Sequence, residues 1–393
     1  MFYPRKILPQ LEKELKTPQI IVLTGMRQVG KTTLLTHLFK KIKSENKTLL
    51  DLENPLHRKI FEEENFDNIW SNLKQFGISN KKKAYLFLDE IQNLPQISQA
   101  VKYLYDHWSI KFFLTGSSSF YLKNLFPESL AGRKIIYELF PLDFQEFLIF
   151  KEMKKDFVSS FIQKAKQKNK ISHEQFIKYY QEFMEFGGFP AVVLEEKTTR
   201  KRILLEEVFK SYFEKDVKSL AEFKDLSKLR DLIILLVPRL ASKIDISKLS
   251  SELAVSRETI YNYLAFLEKT YFISLLPRFS RSFDCQAAGR KKLFFSDTGL
   301  ANLLGKTSLG QLFENSVFQN LRFDSKLCYY SQNSRQEIDF IFNEKIALET
   351  KVSVSKRDLY RLRKASESLK LKEVYVVSLN FSKEKEVVLA TDL

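Results

Sequence analysis

The run IIVLTGMRQVGKTT, residues 20–33, constrains the fold more than any other stretch. Four of its first five residues are apolar without alternation, as in a strand covered on both faces rather than one half-facing water. Behind them, two glycines five positions apart let the main chain turn sharply, and a helix is expected from Thr33 to about Lys43. Two more apolar runs follow: Tyr85–Leu88, ending in Asp89–Glu90, and Phe112–Thr115, ending in GSSS. Buried strands alternating with helices predict an α/β domain with a parallel sheet over residues 1–141.

Beyond it the pattern changes. Residues 142–236 read as Lys-rich helices, broken by the Gly/Pro turn FGGFP at 186–190, and suggest a helical lid with connecting helices. Residues 237–307 read as two helices, a tight turn and two strands. Leu249 and Leu253 line the first helix, Ser256 is a natural N-cap for the second, and Ile260, Leu264, Leu267 and Tyr271 recur at helical spacing. Helix–turn–helix followed by a basic β-hairpin predicts a winged helix. Residues 308–393 form a last α/β unit.

The chain has 393 residues, 64 Lys+Arg against 48 Asp+Glu, and a net charge of +16. That excess favours a polyanionic partner, nucleic acid before membrane, because lysine and arginine near phosphates release counterions. A merely soluble basic surface is the bland alternative. Cys285 and Cys328 cannot build a disulfide framework, and His37, His57, His107 and His173 lack metal-ligand spacing. No signal-peptide core or membrane-length apolar run is evident, so a cytoplasmic location is expected.

Gly25 to Thr32 fits G-x-x-x-x-G-K-S/T in its required place, after a buried strand and before a helix. The amides of Gly25, Met26, Arg27, Gln28, Val29, Gly30, Lys31, Thr32 and Thr33 would wrap phosphates, aided by the helix dipole. Lys31 would reach the β and γ phosphates of ATP, and Thr32 would hold Mg2+. Asp89 would complete the metal shell, and Glu90 would orient and deprotonate the attacking water. Ser117 is a candidate γ-phosphate reporter, or simply part of a Gly-Ser loop. Arg133 is a candidate for neutralising phosphoryl charge, in its own subunit or a neighbouring one, or else a solvated arginine.

A second site is suggested by EIDFIFNEKIALETKV, residues 337–352. With the turn at Asn343–Glu344–Lys345, Asp339 falls opposite Glu349 and Glu337 opposite Lys351. Ile338, Phe340, Phe342, Ile346 and Leu348 make the core face. Like charges directly across a strand pair repel, so something positive is expected between the two carboxylates. Asp339 and Glu349 could hold Mg2+, Lys351 could position a nucleophile, and Glu314 is a further candidate ligand, with YYSQNSRQ (329–336) lining the groove. Against this, Glu45–Lys47, Glu152–Lys154 and Glu195–Lys197 show that E-x-K triplets are common here, and Glu337–Lys351 could be a plain surface pair.

On the second helix of the winged-helix region, Arg257, Thr259 and Asn262 point away from the apolar stripe toward any DNA groove. Arg278, Arg281, Arg290, Lys291 and Lys292 bracket the wing, with Asp284 between. A wing that docks on protein is the alternative.

In order along the chain, LTGMRQVGKTTLL, AYLFLDEIQNLP, FFLTGSSSFYL, LAGRKIIYELFPLDFQEF, FGGFPAVV and LFFSDTGLANLL resemble the AAA+-type ATPases of bacteria and archaea that carry a C-terminal domain of unknown function. The resemblance covers nearly the whole chain. It implies ATP and Mg2+ bound at Lys31, Thr32, Asp89 and Glu90. It also implies a winged helix and a restriction-endonuclease-like PD-(D/E)xK core at Asp339, Glu349 and Lys351. The expected function is thus an ATP-hydrolysing, DNA-associated protein with a nuclease-like end, and a homo-oligomer through the ATPase domain is expected. The alternative is a non-cleaving ATPase switch whose C-terminal parts only bind DNA or protein.

Overall fold

The computed structural model describes residues 1–117, 132–218, 225–281, 289–323, 326–332 and 336–393. Asp284, Cys285 and residues 333–335 of the expected wing and groove lie outside them. The chain gathers into two compact units. One is Met1–Phe140 with Ser211–Ala221 and Lys269–Tyr271, and the other is the remainder.

The first unit is built on β1 (Ile20–Thr24), β2 (Lys47–Asp51), β3 (Ala84–Asp89), β4 (Ile110–Gly116) and β5 (Lys134–Glu138). Their order is β2-β3-β4-β1-β5, all parallel. Every residue of β1 and β4 is buried, as non-alternating apolar runs require. Helix α1 (Lys31–Lys41) starts two residues before the expected Thr33, because its apolar stripe of Leu34, Leu35 and Leu38 begins inside the first turn. Helices α2 (Phe66–Gln75) and α3 (Ile97–His107) pack on the sheet, with Trp70 and Trp108 stacked at 4.2 Å. Parallel strands put all their C-terminal ends on one edge, so the loop after β1, Asp89–Glu90 and Ser117 gather there.

The second unit opens with α4 (Phe144–Phe150), fixed by an Asp143–Glu146 capping box, and α5 (Lys170–Phe186). Next come α6 (Leu226–Leu236), α7 (Ile246–Leu253) and α8 (Arg257–Lys269), then an antiparallel pair, β6 (Ile273–Leu276) and β7 (Lys292–Phe295). The Ser256 hydroxyl accepts from the Thr259 amide at 3.0 Å, capping α8 as expected. After α9 (Thr298–Leu304) and α10 (Leu309–Leu321) comes a second sheet, in the order β12-β11-β10-β9-β8. Its strands are β8 (Leu327–Gln332), β9 (Gln336–Phe342), β10 (Ile346–Lys351), β11 (Glu373–Ser378) and β12 (Val387–Leu389). Strands β8 to β10 are antiparallel, β10 to β12 parallel, and α11 (Lys356–Ser368) crosses between β10 and β11. The segment after β6 runs along β8: the Tyr329 amide donates to the Pro277 carbonyl at 3.0 Å, and the Phe279 amide to the Tyr329 carbonyl at 2.6 Å.

The FGGFP and SDTG stretches clasp each other in this unit. Asp297 caps α9 by accepting from the Leu300 amide at 3.1 Å and accepts from the Gly188 amide at 2.7 Å. Gly187 lies at φ +74, and a Cβ there would fall 2.0 Å from the Asp297 carboxylate. Burial pushes the Asp297 pKa up to about 6. These motifs hold helices together. Among the described residues no helix is long and apolar enough to cross a membrane.

Candidate functional site

The loop after β1 is shaped by a close approach. Gly25, at φ +153, faces the Leu139 carbonyl so tightly that a Cβ would lie 2.0 Å from its oxygen. Met26 and Val29 are buried and pin the loop, while Gln28 is exposed at φ +63. Arg5 ties the loop's end down, donating to the carbonyls of Val29 and Phe140, both at 2.7 Å.

Lys31 is buried at the start of α1, and its ammonium donates to the carbonyls of Gly25 at 3.1 Å and Met26 at 2.7 Å. Burial lowers its pKa, while Glu90, Asp216 and Asp89 pull it back. The ammonium is therefore cradled by neutral carbonyls, with carboxylates acting on it only from further off. Thr32 and Thr33 stand exposed in the first turn of α1. Asp89 at the end of β3 is buried, which raises its pKa, and the hydroxyls of Thr115 and Thr32 donate to it. Glu90 holds a left-handed conformation, φ +55, that turns the chain off the strand end.

Ser117 is buried at the end of β4, and its hydroxyl donates to Asp216 at 3.0 Å. Asp216 belongs to a π-helical turn, Tyr212–Val217, and accepts from Arg27 Nε at 3.1 Å. Arg27 is also 3.9 Å from Glu90. Gln92 closes the circuit, accepting from the Ser117 amide at 3.3 Å and donating to Glu90. Burial raises the Asp216 pKa, opposed by Arg27. The loop, Asp89–Glu90 and Ser117 thus share one hydrogen-bonded network. Arg133 does not join it. It immediately precedes β5, at the opposite end of the sheet from the loop, and pairs with Asp106 at 3.4 Å.

In the second unit, β9 and β10 pair Phe342 with Ile346 and Phe340 with Leu348, the expected register. Both faces are covered, however. Ile341 and Ala347, on the carboxylate side, are fully buried with Leu359 and Leu362 of α11. Something positive does stand by the carboxylates, and it is a lysine. The Lys292 side chain, 1% exposed, places Nζ 2.5 Å from Glu314, 3.2 Å from Glu337 and 3.3 Å from Asp339. Lys292 therefore does not bracket a solvated wing. Lys243 also reaches Glu337, at 2.9 Å. Lys351 pairs with Glu349 at 2.8 Å, not with Glu337 across the strands. The other Asp339 oxygen accepts from the Thr350 amide and hydroxyl, both at 2.8 Å. Burial, then Asp339, raises the Glu314 pKa to about 8 and that of Glu349 to about 7, while Lys292 holds Asp339 below its usual range. An ammonium occupies the Glu314–Glu337–Asp339 side of the donor set, which does not fit Mg2+ there, while Glu349 Oε2 is buried with no hydrogen-bond partner among the described residues. Among the described residues, no group of three or more His, Cys, Asp or Glu side chains could hold a metal ion. Beside it opens a groove of about 590 Å³ of mixed charge, in which Lys243, Lys351, Arg361 and Lys364 stand among Glu337, Glu349 and Asp358.

On α8, Arg257 and Asn262 are exposed, but the Thr259 hydroxyl lies 2.9 Å from that of Ser256 within the cap. Arg281 donates to the Leu369 carbonyl at 3.0 Å, and Arg290 pairs with Asp245 at 3.2 Å, both remaining exposed.

Residues 17–148 match the family described as an AAA domain, and residues 177–310 match a domain of unknown function, DUF8612. The chain is 30% identical to the uncharacterized protein MJ1544 of Methanocaldococcus jannaschii, over 95% of this chain and 85% of that one. It belongs to the same family. An uncharacterized protein of Haemophilus influenzae is 27% identical over 85% of this chain and 82% of its own length. Among solved structures, AMPPCP-bound DnaA from Aquifex aeolicus aligns with 67% of this chain and 86% of its own at 17% identity and a TM-score of 0.27. The match over residues 17–148 gives this family member an AAA-type domain.

Two residues of these sites escape the motifs. Asp216 lies in a helical stretch, YFEKDVK, where two acids alternate with two lysines and nothing in the sequence singles it out. Lys292 is masked by its neighbours Arg290 and Lys291, though the apolar LFF after it marks the start of a buried strand.

Proposed function

We propose that this protein is an ATP-hydrolysing switch that associates with DNA. The observation that carries the reading is the gathering of Lys31, Thr32, Asp89, Glu90 and Ser117 at one sheet edge, beneath a loop whose buried ammonium is satisfied by neutral carbonyls alone. Such a loop presents amide donors and a cation to phosphate oxygens. Lys31 would leave the Gly25 and Met26 carbonyls for the β and γ phosphates. Mg2+, when bound with ATP, screens phosphate charge, and Thr32 with Asp89 would hold it. Glu90 would orient water and take its proton, and Ser117 would exchange Asp216 for the γ-phosphate. Arg133 would serve a neighbouring copy in a homo-oligomer, the role its position leaves open.

The helices α7 and α8 with the β6–β7 pair support a winged helix, with Arg257 and Asn262 exposed to reach DNA. The order α10–β8–β9–β10–α11–β11 supports a restriction-endonuclease-like core. A protein-sensing switch is the competing assignment. The test is ATP turnover by the full chain, by Lys31→Ala and by Glu90→Gln, with and without duplex DNA. Turnover lost in both variants and stimulated by DNA is expected. Unchanged turnover in Lys31→Ala would sink the nucleotide assignment, and indifference to DNA would favour a protein partner.

A further inference from the structure

Lys292 is anchored rather than mobile. It is the first residue of β7, paired with Leu276 in β6 and bridged to Lys243. Its side chain runs inward to an ammonium with three N–H donors, and three carboxylates from α10 and β9 lie within 3.3 Å: Glu314, Glu337 and Asp339. The remaining Asp339 oxygen is taken by Thr350 and Glu349 Oε1 by Lys351, while Glu349 Oε2 is buried with no hydrogen-bond partner among the described residues. Four carboxylates thus face three ammonium groups, those of Lys243, Lys292 and Lys351. A divalent ion needs six or more oxygens drawn close around it and usually keeps several waters. Here three of the four carboxylates already converge on a buried cation, and an added ion would sit against its charge.

We propose that Lys292 is the built-in cation of this carboxylate cluster, in place of a divalent metal, so that the C-terminal core is hydrolytically silent and leaves bound nucleic acid uncut. The inference rests on the restriction-endonuclease-like reading of the sheet. Its test is read at the cation, separately from DNA binding.

The experiment titrates Mn2+ onto the full chain carrying Lys31→Ala and Thr32→Ala, without nucleotide, and follows free Mn2+ by its paramagnetic resonance. No stoichiometric uptake at millimolar Mn2+ is expected. Adding Lys292→Met should create one site at least tenfold tighter, removed again by Asp339→Asn. Uptake of one ion by the chain with Lys292 intact, abolished by Asp339→Asn, would overturn the proposal. So would a folded Lys292→Met variant that takes up no Mn2+, or Mn2+-dependent cutting of duplex DNA that Asp339→Asn abolishes. Should Lys292→Met fail to fold, the titration with Lys292 present still decides. Absence of DNA binding together with absence of Mn2+ uptake would remove the nucleic-acid partner but leave the built-in cation standing.

Discussion

Glu314→Gln probes the crowded cluster through proton linkage. Glu314 has an ordinary pKa of 4.5, and burial with Asp339 nearby pushes it up to about 8. Between those values the folded chain keeps a proton that the unfolded chain has released, so stability falls as pH rises through that window. At about 1.4 kcal/mol per pH unit, the interval of about 3.5 units sets an upper bound of roughly 5 kcal/mol. Glu349, raised to about 7, works in the same direction, and the two share protons, so their effects do not add. Asp339, held low, contributes only below its ordinary 3.8, outside the window. Gln cannot ionise. The variant should therefore stay within about 1 kcal/mol of the parent at pH 5 and be more stable by roughly 2–4 kcal/mol at pH 8. Urea unfolding read by pulsed hydrogen exchange in residues 336–351 isolates this sheet. Parent stability that is flat or rises from pH 5 to 8, or a variant weaker than the parent at pH 8, would refute the reasoning.

Asp216→Asn should cost about 1–3 kcal/mol without nucleotide, because Arg27 and Ser117 lose a charged acceptor. Melting temperature with and without an ATP analogue checks this, and equal loss in both states would count against exchange of Asp216 for phosphate. Gly187→Ala forces both a strained φ and a clash with Asp297, and should destabilise by roughly 2–4 kcal/mol in thermal unfolding. A neutral result would mean that the clasp yields easily. Arg257→Ala should weaken duplex binding and lower the salt slope by about 1, measured by fluorescence anisotropy across salt. An unchanged slope would remove it from the phosphate contacts.

Much of the geometry of the candidate nucleotide site was legible because its signals are local. A bare apolar run, two glycines and a lysine fix β1, the loop and α1 within fifteen residues. The β9–β10 register was legible for the same reason, since a short turn at Asn343 and period-two alternation leave one pairing. What remained hidden is set by long-range closure. Lys292 meets Glu314, Glu337 and Asp339 across 22 to 47 positions, and a lysine after Arg290 and Lys291 looks solvated until the strand's direction is known. The placing of Arg133 was hidden for the opposite reason: its motif is local, but only sheet topology shows that it precedes β5, away from the loop after β1. That the carboxylate face of β9–β10 also holds buried apolar residues was hidden because α11, distant in the sequence, covers Ile341 and Ala347.

The strip Pro277–Phe279 laid along β8, together with Lys292 thrust among the carboxylates, means that the hairpin and the last sheet are sewn from one another's thread. A gene cut between 307 and 308 would strip β8 of its neighbour and leave Glu314, Glu337 and Asp339 without their counter-charge. Such a fragment should be recovered as aggregate at neutral pH, whereas one begun ahead of α7 keeps both the seam and its button.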